Sequence, residues 1–421
     1  MIIAGSVGVP GDKSITHRAL MLAAMARGTS HLGGALTSLD ARSTARVLRA
    51  LGARVSPLRS DAVVSITGHG RLRRPGQPLN CGNSGTAARL ILGLLAAHPF
   101  AASVTGDRSL RRRPMRRVTE PLSLMGARFD GAEEGLPLRI RGGALRPLRY
   151  ELPVSSAQLK SALLLAGLAG KVPVSVREPN GRSRDHTERL LRSFGYTVGE
   201  ERGWIDFAPD GALTPFELQV PGDFSSAIFL LGAALLAEGG ELRLAGVGLN
   251  PTRTAALDVL RRMGAQLQVE PAGEERAEPV GDIVVRPSRL NAATIPAPEI
   301  PAIIDEIPML AVLAARAEGT TTFHQVGELR VKESDRLALV AANLRALGVA
   351  AEARGQDLYV EGTDAPPRGR VETDGDHRIA MAFAVLGTLP GARVRVDDMD
   401  CAAVSFPGFP AALAGIRGRR R

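Results

Sequence analysis

The stretch GDFSSAIFLLGAALLAEGGELRL, residues 222–244, decides the fold. Asp223 and the serines after it are residue types that start helices, and the run AIFLLGAALLA is apolar on nearly every face of a helix rather than along one stripe. Such a helix has to be buried on all sides. The glycine pair Gly239–Gly240 stops it, and ELRL then alternates in the manner of a strand.

Five further stretches share this grammar of polar start, apolar helix, stop and strand. They are GDKSITHRALMLAAMARGTSHL (11–32), GNSGTAARLILGLLAAHP (82–99), SSAQLKSALLLAGLAGKVPVSV (155–176), IDEIPMLAVLAARAEGTTTFHQV (304–326) and DHRIAMAFAVLGTLPGARVRV (376–396). The unit recurs about every 70 residues. Between the apolar runs lie amphipathic ones, such as LDARSTARVLRALGARV (39–55) and TAALDVLRRMGAQLQV (254–269), each reading helix, glycine, strand. Buried helices with strands outside them, three units per half, predict two similar α/β domains with a boundary just before Gly222. A length of 421 residues agrees, because one hydrophobic core usually stops growing at roughly 250 to 300 residues.

Composition narrows the function. The 44% hydrophobic content is ordinary for a globular chain, and no stretch is apolar for the ~20 residues that cross a bilayer. The start, MIIAGSVGVPGDKS, has no basic region followed by an apolar one, so the expectation is a soluble protein that is not exported. Cys81 and Cys401 are the only cysteines; they build no disulfide framework and lack metal-site spacing, which fits a reducing cytoplasm and predicts no metal. A net charge of +10 favours anionic partners, whether nucleic acid, membrane surface or phosphorylated small molecules. With three Tyr and one Trp, stacking platforms for nucleic acid are scarce, so a small-anion site is preferred. The basic end RGRRR (417–421) reads as a solvated tail. All but four of the 53 Lys and Arg residues are arginine; the lysines that remain, Lys13, Lys160, Lys171 and Lys332, mark places where a compact ammonium is wanted or has survived by chance.

Four groups of residues carry chemistry. PGDKSITHR (10–18) puts Lys13, Ser14 and Arg18 at a helix start, where free N–H groups and the helix dipole favour anions; the GxxxxGK[ST] spacing of a nucleotide loop is absent. LNCGNSGTAARL (79–90) lets the backbone approach a ligand through Gly82, Gly85 and Thr86, with Arg89 a turn further, and TGDRSLRRRPMRR (105–117) adds a basic loop in which Pro114 keeps Arg113 out of helix. ELRVKESDR (328–336) and DHRIA (376–380) gather Lys332, Glu333, Asp335, Arg336, His377 and Arg378, a pattern of surface salt bridges or of proton transfer. Asp305, in IIDEIP (303–308), opens a buried helix as an N-cap or as a poised base.

Eight of these strings, PGDKSITHR, GNSGTAARL, GDRSLRRRPM, SAQLKSALLLAGL, PGDFSSA, IDEIPMLAVLAA, ELRVKESDR and DHRIAMA, occur in this order over essentially the whole chain. Together they resemble the 5-enolpyruvylshikimate-3-phosphate synthase family of enolpyruvyl transferases. The resemblance implies an α/β fold of two inverted, barrel-like domains built from six βαβαββ repeats with buried helices and outer sheets. It implies lobes at 12–221 and at 1–11 plus 222–421, with a ligand cleft between them. The implied reaction moves the enolpyruvyl group of phosphoenolpyruvate to the 5-hydroxyl of shikimate 3-phosphate, without cofactor. By matching position, Lys13, Ser14, Arg18, Ser156, Gln158, Arg184, Asp305 and Lys332 would serve shikimate 3-phosphate. Lys13, Gly85, Arg113, Gln158, Arg336 and Arg378 would serve phosphoenolpyruvate. Asp305 and Glu333 would handle protons, with Lys13 and Lys332 beside the ligands and His377 near the leaving phosphate.

The chain departs from the family pattern at Val404, in DCAAVSFPGF (400–409), where many relatives carry lysine. It keeps Gly85 where relatives tolerant of glyphosate often have alanine, so inhibition by glyphosate is expected. Two other readings compete. The sister enzymes acting on UDP-N-acetylglucosamine pair the first lysine with asparagine and carry a cysteine in the loop matched here by SLRRRPMRR; this chain has Lys13–Ser14 and no cysteine there. A non-catalytic basic binding protein would have let Lys13, Asp305, Lys332, Glu333 and Arg336 drift. A monomer is expected, since no apolar helix face is left over.

Overall fold

Each of the six apolar runs forms a helix, and the strand after it organises a small sheet. The computed structural model describes residues 1–60, 62–131, 135–179 and 181–418; of the basic tail, 419–421 lie outside the described residues. The chain divides into an N-terminal unit, Gly11–Val220 with Glu274–Glu278, and a C-terminal unit, Met1–Pro10 with Pro221–Gly273 and Pro279–Arg421.

In the N-terminal unit the first repeat carries helices α1 (Lys13–Met25) and α2 (Leu39–Ala50), the second α3 (Gly85–Ala96), α4 (Arg108–Arg111) and α5 (Arg116–Met125), and the third α6 (Ala157–Gly170) and α7 (His186–Ser193). Around α3 the chain makes a parallel strand pair, Leu79–Asn80 with Ala101–Thr105, and Leu138–Arg141 and Arg128–Gly131 extend it antiparallel. Around α6 the same plan recurs with Leu148–Glu151, Val174–Arg177, Trp204–Ala208 and Thr197–Glu201. In the first repeat the place before α1 is filled from the other end of the unit: Glu217–Gln219 runs parallel to Arg27–Gly33. The buried helices pack closely. A Cβ on Gly93 of α3 would stand 2.1 Å from the Ala162 carbonyl of α6, so only glycine lets those backbones meet. Glu278 pairs with His186 at 2.7 Å, Arg189 donates to the Ala277 carbonyl at 2.8 Å, and Arg276 stacks against Phe194 and Phe216.

In the C-terminal unit the fourth repeat carries α8 (Phe224–Leu235) and α9 (Pro251–Arg262), the fifth α10 (Ile300–Ile303), α11 (Ile307–Ala314) and α12 (Arg336–Ala346), and the sixth α13 (His377–Leu386) and α14 (Phe409–Gly415). All twelve residues of α8 are buried, as a helix apolar all round requires. The strand expected before α8 is Ile2–Gly8, parallel to Gly239–Gly248. The fifth repeat has a four-stranded sheet, whereas the sixth keeps only the parallel pair Arg368–Val371 and Arg393–Val396 among the described residues. Where the sixth hairpin would lie, α14 follows, and its buried Phe409 makes edge contacts with Phe229 and Phe406. No helix among the described residues is long and apolar enough to cross a membrane.

Candidate active site

Two sets of polar side chains gather at the N-termini of buried helices, one set in each unit. In the N-terminal unit, Asp12 caps α1 by accepting from the Ile15 N–H at 2.8 Å, which sets Lys13 and Ser14 on the first turn. Lys13 Nζ lies 3.2 Å from Asp40 Oδ2 on α2. One turn on, Arg18 is 2% exposed and donates from Nη1 to the Ser14 carbonyl (2.9 Å), from Nε to Thr187 Oγ1 (2.7 Å) and from Nη2 to Ser161 Oγ (2.6 Å). Arg184 reaches Ser14 Oγ at 3.5 Å. His17, wholly buried beside Thr44 at 2.6 Å, has its pKa driven down to about 3 by burial and then by Lys13 and Arg18. It is therefore neutral at physiological pH and adds no charge to the group.

At the start of α6, Gln158 accepts from Arg89 Nη1 at 2.6 Å and donates to Thr86 Oγ1 at 2.9 Å. Ser156 occupies the cap position of that helix, with no capping bond from its side chain. Arg113 is buried and donates to Asn83 Oδ1 at 2.5 Å and Ser109 Oγ at 3.1 Å. Gly85, first residue of α3, faces both arginines: a Cβ there would lie 2.9 Å from Arg89 Nη1 and 3.1 Å from Arg113 Nη1. Gly85, Arg89, Arg113 and Gln158 thus converge, and a backbone without a side chain sits between two guanidiniums. That arrangement suits a small, doubly charged anion.

In the C-terminal unit, helix α11 begins at Ile307 and Glu306 holds its cap position, so Asp305 is not the cap. Instead Asp305, with 13% of its side chain exposed, faces three cations: Arg336 Nη1 at 3.3 Å, Lys332 Nζ at 3.8 Å and Arg378 Nη2 at 3.9 Å. Arg336 is buried between Glu333 (2.6 Å) and Asp376 (2.8 Å). Burial works against its charge, but Asp376 and Glu333 outweigh it and raise the pKa. Arg378 is pulled the other way, by burial and then by Arg336 beside it. Two buried guanidiniums that repel each other are relieved by a bound anion. His377, buried, opens α13, and Asp376 caps that helix through the Arg378 N–H at 2.9 Å. Asp335 caps α12 through Ala338 (2.9 Å) and pairs with Arg330 at the surface, so it stands outside the constellation. Val404 ends a short 3-10 turn, Asp400–Val404, and is half-buried.

Every residue anticipated for the site in one unit therefore lies at or beside one of these helix starts. The sequence did not single out Asp40, Asn83, Asp376 or Glu306, and Arg89 was noted without a role. Glu306 is fully buried, bonded by Ser225 and 3.6 Å from Arg253 and 3.9 Å from Arg378. Their partners lie far away in the chain, and spacing carries no trace of them; only the DEIP string, with two adjacent acids before an apolar helix, hinted at Glu306.

A profile of the EPSP synthase family, described as EPSP synthase (3-phosphoshikimate 1-carboxyvinyltransferase), matches residues 2–413. The chain belongs to that family. It is 47% identical over 416 residues to the 3-phosphoshikimate 1-carboxyvinyltransferase of Geobacillus kaustophilus (strain HTA426), covering 98% of this chain and 97% of that one. To the enzyme of the same name from Paramagnetospirillum magneticum (strain ATCC 700264 / AMB-1) it is 50% identical over 427 residues, covering 98% and 95%. Its fold superposes on the solved EPSP synthase of Acinetobacter baumannii with a TM-score of 0.84 at 40% identity, over 98% of this chain and 95% of the other. The enolpyruvyl transferase NikO of Streptomyces tendae shares the fold, with a TM-score of 0.78 at 17% identity over 99% and 95%. As an EPSP synthase family member the chain is a transferase of the shikimate pathway, and neither the sister enzyme acting on UDP-N-acetylglucosamine nor a non-catalytic basic protein is favoured.

Proposed function

We propose that the two sets of residues divide the work of one addition and elimination. Lys13, Ser14, Arg18, Ser156, Gln158 and Arg184 hold shikimate 3-phosphate. Lys13, Gly85, Arg113, Gln158, Arg336 and Arg378 hold phosphoenolpyruvate. Each substrate carries a carboxylate and a phosphate, so fixed cations are needed to offset their mutual repulsion. Asp305 and Lys332 attend the acceptor's 5-hydroxyl: Asp305 takes its proton as the oxygen attacks the enol carbon. Glu333 gives a proton to the methylene carbon in that step, making a tetrahedral ketal phosphate. Glu333 then takes a methyl proton back as phosphate leaves near His377, carrying away the proton that Asp305 had accepted, which restores the double bond and returns both carboxyl groups to their starting states. One acid and one base suffice.

The observation that carries this reading is the setting of Asp305. A carboxylate freed from helix capping and placed beside Arg336, Lys332 and Arg378, the cations assigned to the two anionic substrates, stands where a proton acceptor is needed. Glyphosate, an anion of similar size, acts at the phosphoenolpyruvate set. The free thiols of Cys81 and Cys401 support a cytoplasmic setting. The large apolar side chains exposed among the described residues, Ile2, Leu39, Val63, Leu124 and Val331, support a monomer because they are scattered singly along the chain.

The test is phosphate release from phosphoenolpyruvate, with and without shikimate 3-phosphate, in the wild type, Asp305→Ala and Glu333→Gln. Release that requires the acceptor and falls by orders of magnitude in both variants supports the assignment. Release that requires UDP-N-acetylglucosamine, or variants as fast as the wild type, overturns it.

A further inference from the structure

Lys160, on α6, has no part in the reaction, yet only 1% of its side chain is exposed. Its ammonium lies 2.8 Å from Glu188 Oε1, 2.9 Å from Glu178 Oε2 and 3.3 Å from the Ser183 carbonyl. Three acceptors thus surround a group with three N–H donors. A planar guanidinium with five donors does not fit that arrangement, which accounts for a lysine here in a chain that otherwise uses arginine. Burial opposes the charge, but Glu188 and Glu178 outweigh it and raise the pKa, so the Lys160 ammonium keeps its charge at neutral pH.

The chain neighbours of this triad include the residues that bond Arg18, and the triad's third acceptor, Ser183, is followed directly by Arg184. Ser161 follows Lys160, and Thr187 precedes Glu188. The Thr187 and Ser161 hydroxyls are joined at 2.7 Å and accept from Arg18 Nε and Nη2 at 2.7 and 2.6 Å. Ser183 donates to Glu178 through its backbone N–H at 3.1 Å and again through its hydroxyl. The next residue, Arg184, reaches Ser14 Oγ at 3.5 Å. One buried ion triad therefore locks α6, the start of α7 and the turn at Ser183 around the first turns of α1.

We propose that Lys160, Glu178 and Glu188 are positioning residues of the shikimate 3-phosphate subsite, holding Arg18 and Arg184 in the register that receives the acceptor's anionic groups. The inference rests on the assignment of Arg18 and Arg184 to that substrate. None of the three touches the ligand; they act through Ser161, Thr187 and Ser183.

The test compares Lys160→Arg, Glu178→Gln, Glu188→Gln and Thr187→Val with the wild type, varying each substrate in turn and following thermal unfolding. The glutamine variants keep the shape of the triad and Thr187→Val leaves it intact, so at least these are expected to fold. The expected result is a KM for shikimate 3-phosphate raised about tenfold or more, with the KM for phosphoenolpyruvate within about twofold and kcat within about threefold of the wild type. Calorimetric titration with shikimate 3-phosphate alone should weaken by the same factor. Both KM values rising together, activity falling only in step with the folded fraction, or no change in any folded variant would each overturn the proposal. A wild type without acceptor-dependent phosphate release would instead sink the substrate assignment beneath it.

Discussion

Arg336 and Asp376 meet through two contacts, Nε to Oδ2 at 2.8 Å and Nη2 to Oδ1 at 3.3 Å, with both side chains essentially sealed from water. The same carboxylate caps α13 through the Arg378 N–H, so one acid orients two of the proposed phosphoenolpyruvate-binding arginines. A lysine at 336 has a single ammonium and cannot span both oxygens. Arg336→Lys is expected to leave Asp376 and Glu333 underpaired, to destabilise the C-terminal unit by about 3 kcal/mol, in the range for a broken buried pair, and to raise the KM for phosphoenolpyruvate at least tenfold. Chemical unfolding and steady-state kinetics check the two effects separately; a variant with normal stability and KM would refute the role.

Asp305→Asn keeps the volume and removes the acceptor-only carboxylate. If Asp305 is the base, kcat should fall by roughly 100-fold to 10,000-fold, the range for general acid and base catalysis, while the KM for either substrate changes far less. Rapid-quench measurement of a single turnover should place the loss in formation of the tetrahedral intermediate. A loss confined to KM would make Asp305 a binding group instead.

The sequence made the repeating helices legible and left the site's outer ring dark, for physical reasons. A run such as AIFLLGAALLA can only be a buried helix, because no face of it tolerates water, and α8 is buried at all twelve positions. Nothing in DHRIAMAFAVLG, by contrast, says that two strands rather than four accompany α13 among the described residues. The place of EERAE (274–278) beside His186 and Phe194 depends on partners some 80 to 90 residues away in the chain, to which no spacing in the sequence points. Asp305 remained divided between cap and base because both roles want a carboxylate before a helix. Glu306 takes the cap of α11, and Lys332, Arg336 and Arg378, brought in from elsewhere in the unit, surround Asp305, which supports the proposed base. Lys171 ends α6 in the left-handed region, at φ 53, where glycine is the favoured residue, so its backbone gives no reason for a lysine.

His17 makes acid stability predictable. Its folded pKa lies near 3 against an ordinary value of 6.5, so above pH 6.5 neither folded nor unfolded chain protonates it. Between 6.5 and 3 the unfolded chain takes up a proton that the folded one refuses, and stability is lost as pH falls, by up to about 1.4 kcal/mol per unit. His17→Gln should reduce the loss between pH 7 and pH 5 by about 2 kcal/mol, read from urea unfolding at each pH. Parallel pH dependences in the two proteins would show that His17 does not carry the effect.

Gly85→Ala tests the anion set of the N-terminal unit directly. The added methyl would stand 2.9 Å from Arg89 Nη1 and 3.1 Å from Arg113 Nη1, both at the ends of flexible side chains, so the fold should tolerate it. Alanine in place of glycine in the first turn of α3 costs nothing in helix propensity, and the unfolding temperature should hold or rise slightly. The arginines must shift, however, and an anion lodged between them loses contacts. The expected outcome is a glyphosate inhibition constant raised at least tenfold, about 1.4 kcal/mol, with a smaller rise in the KM for phosphoenolpyruvate. The wild type should be inhibited competitively with phosphoenolpyruvate. Equal inhibition of both proteins, or a wild type whose turnover persists with glyphosate in large excess over phosphoenolpyruvate, would remove Gly85 and Arg113 from the phosphoenolpyruvate site.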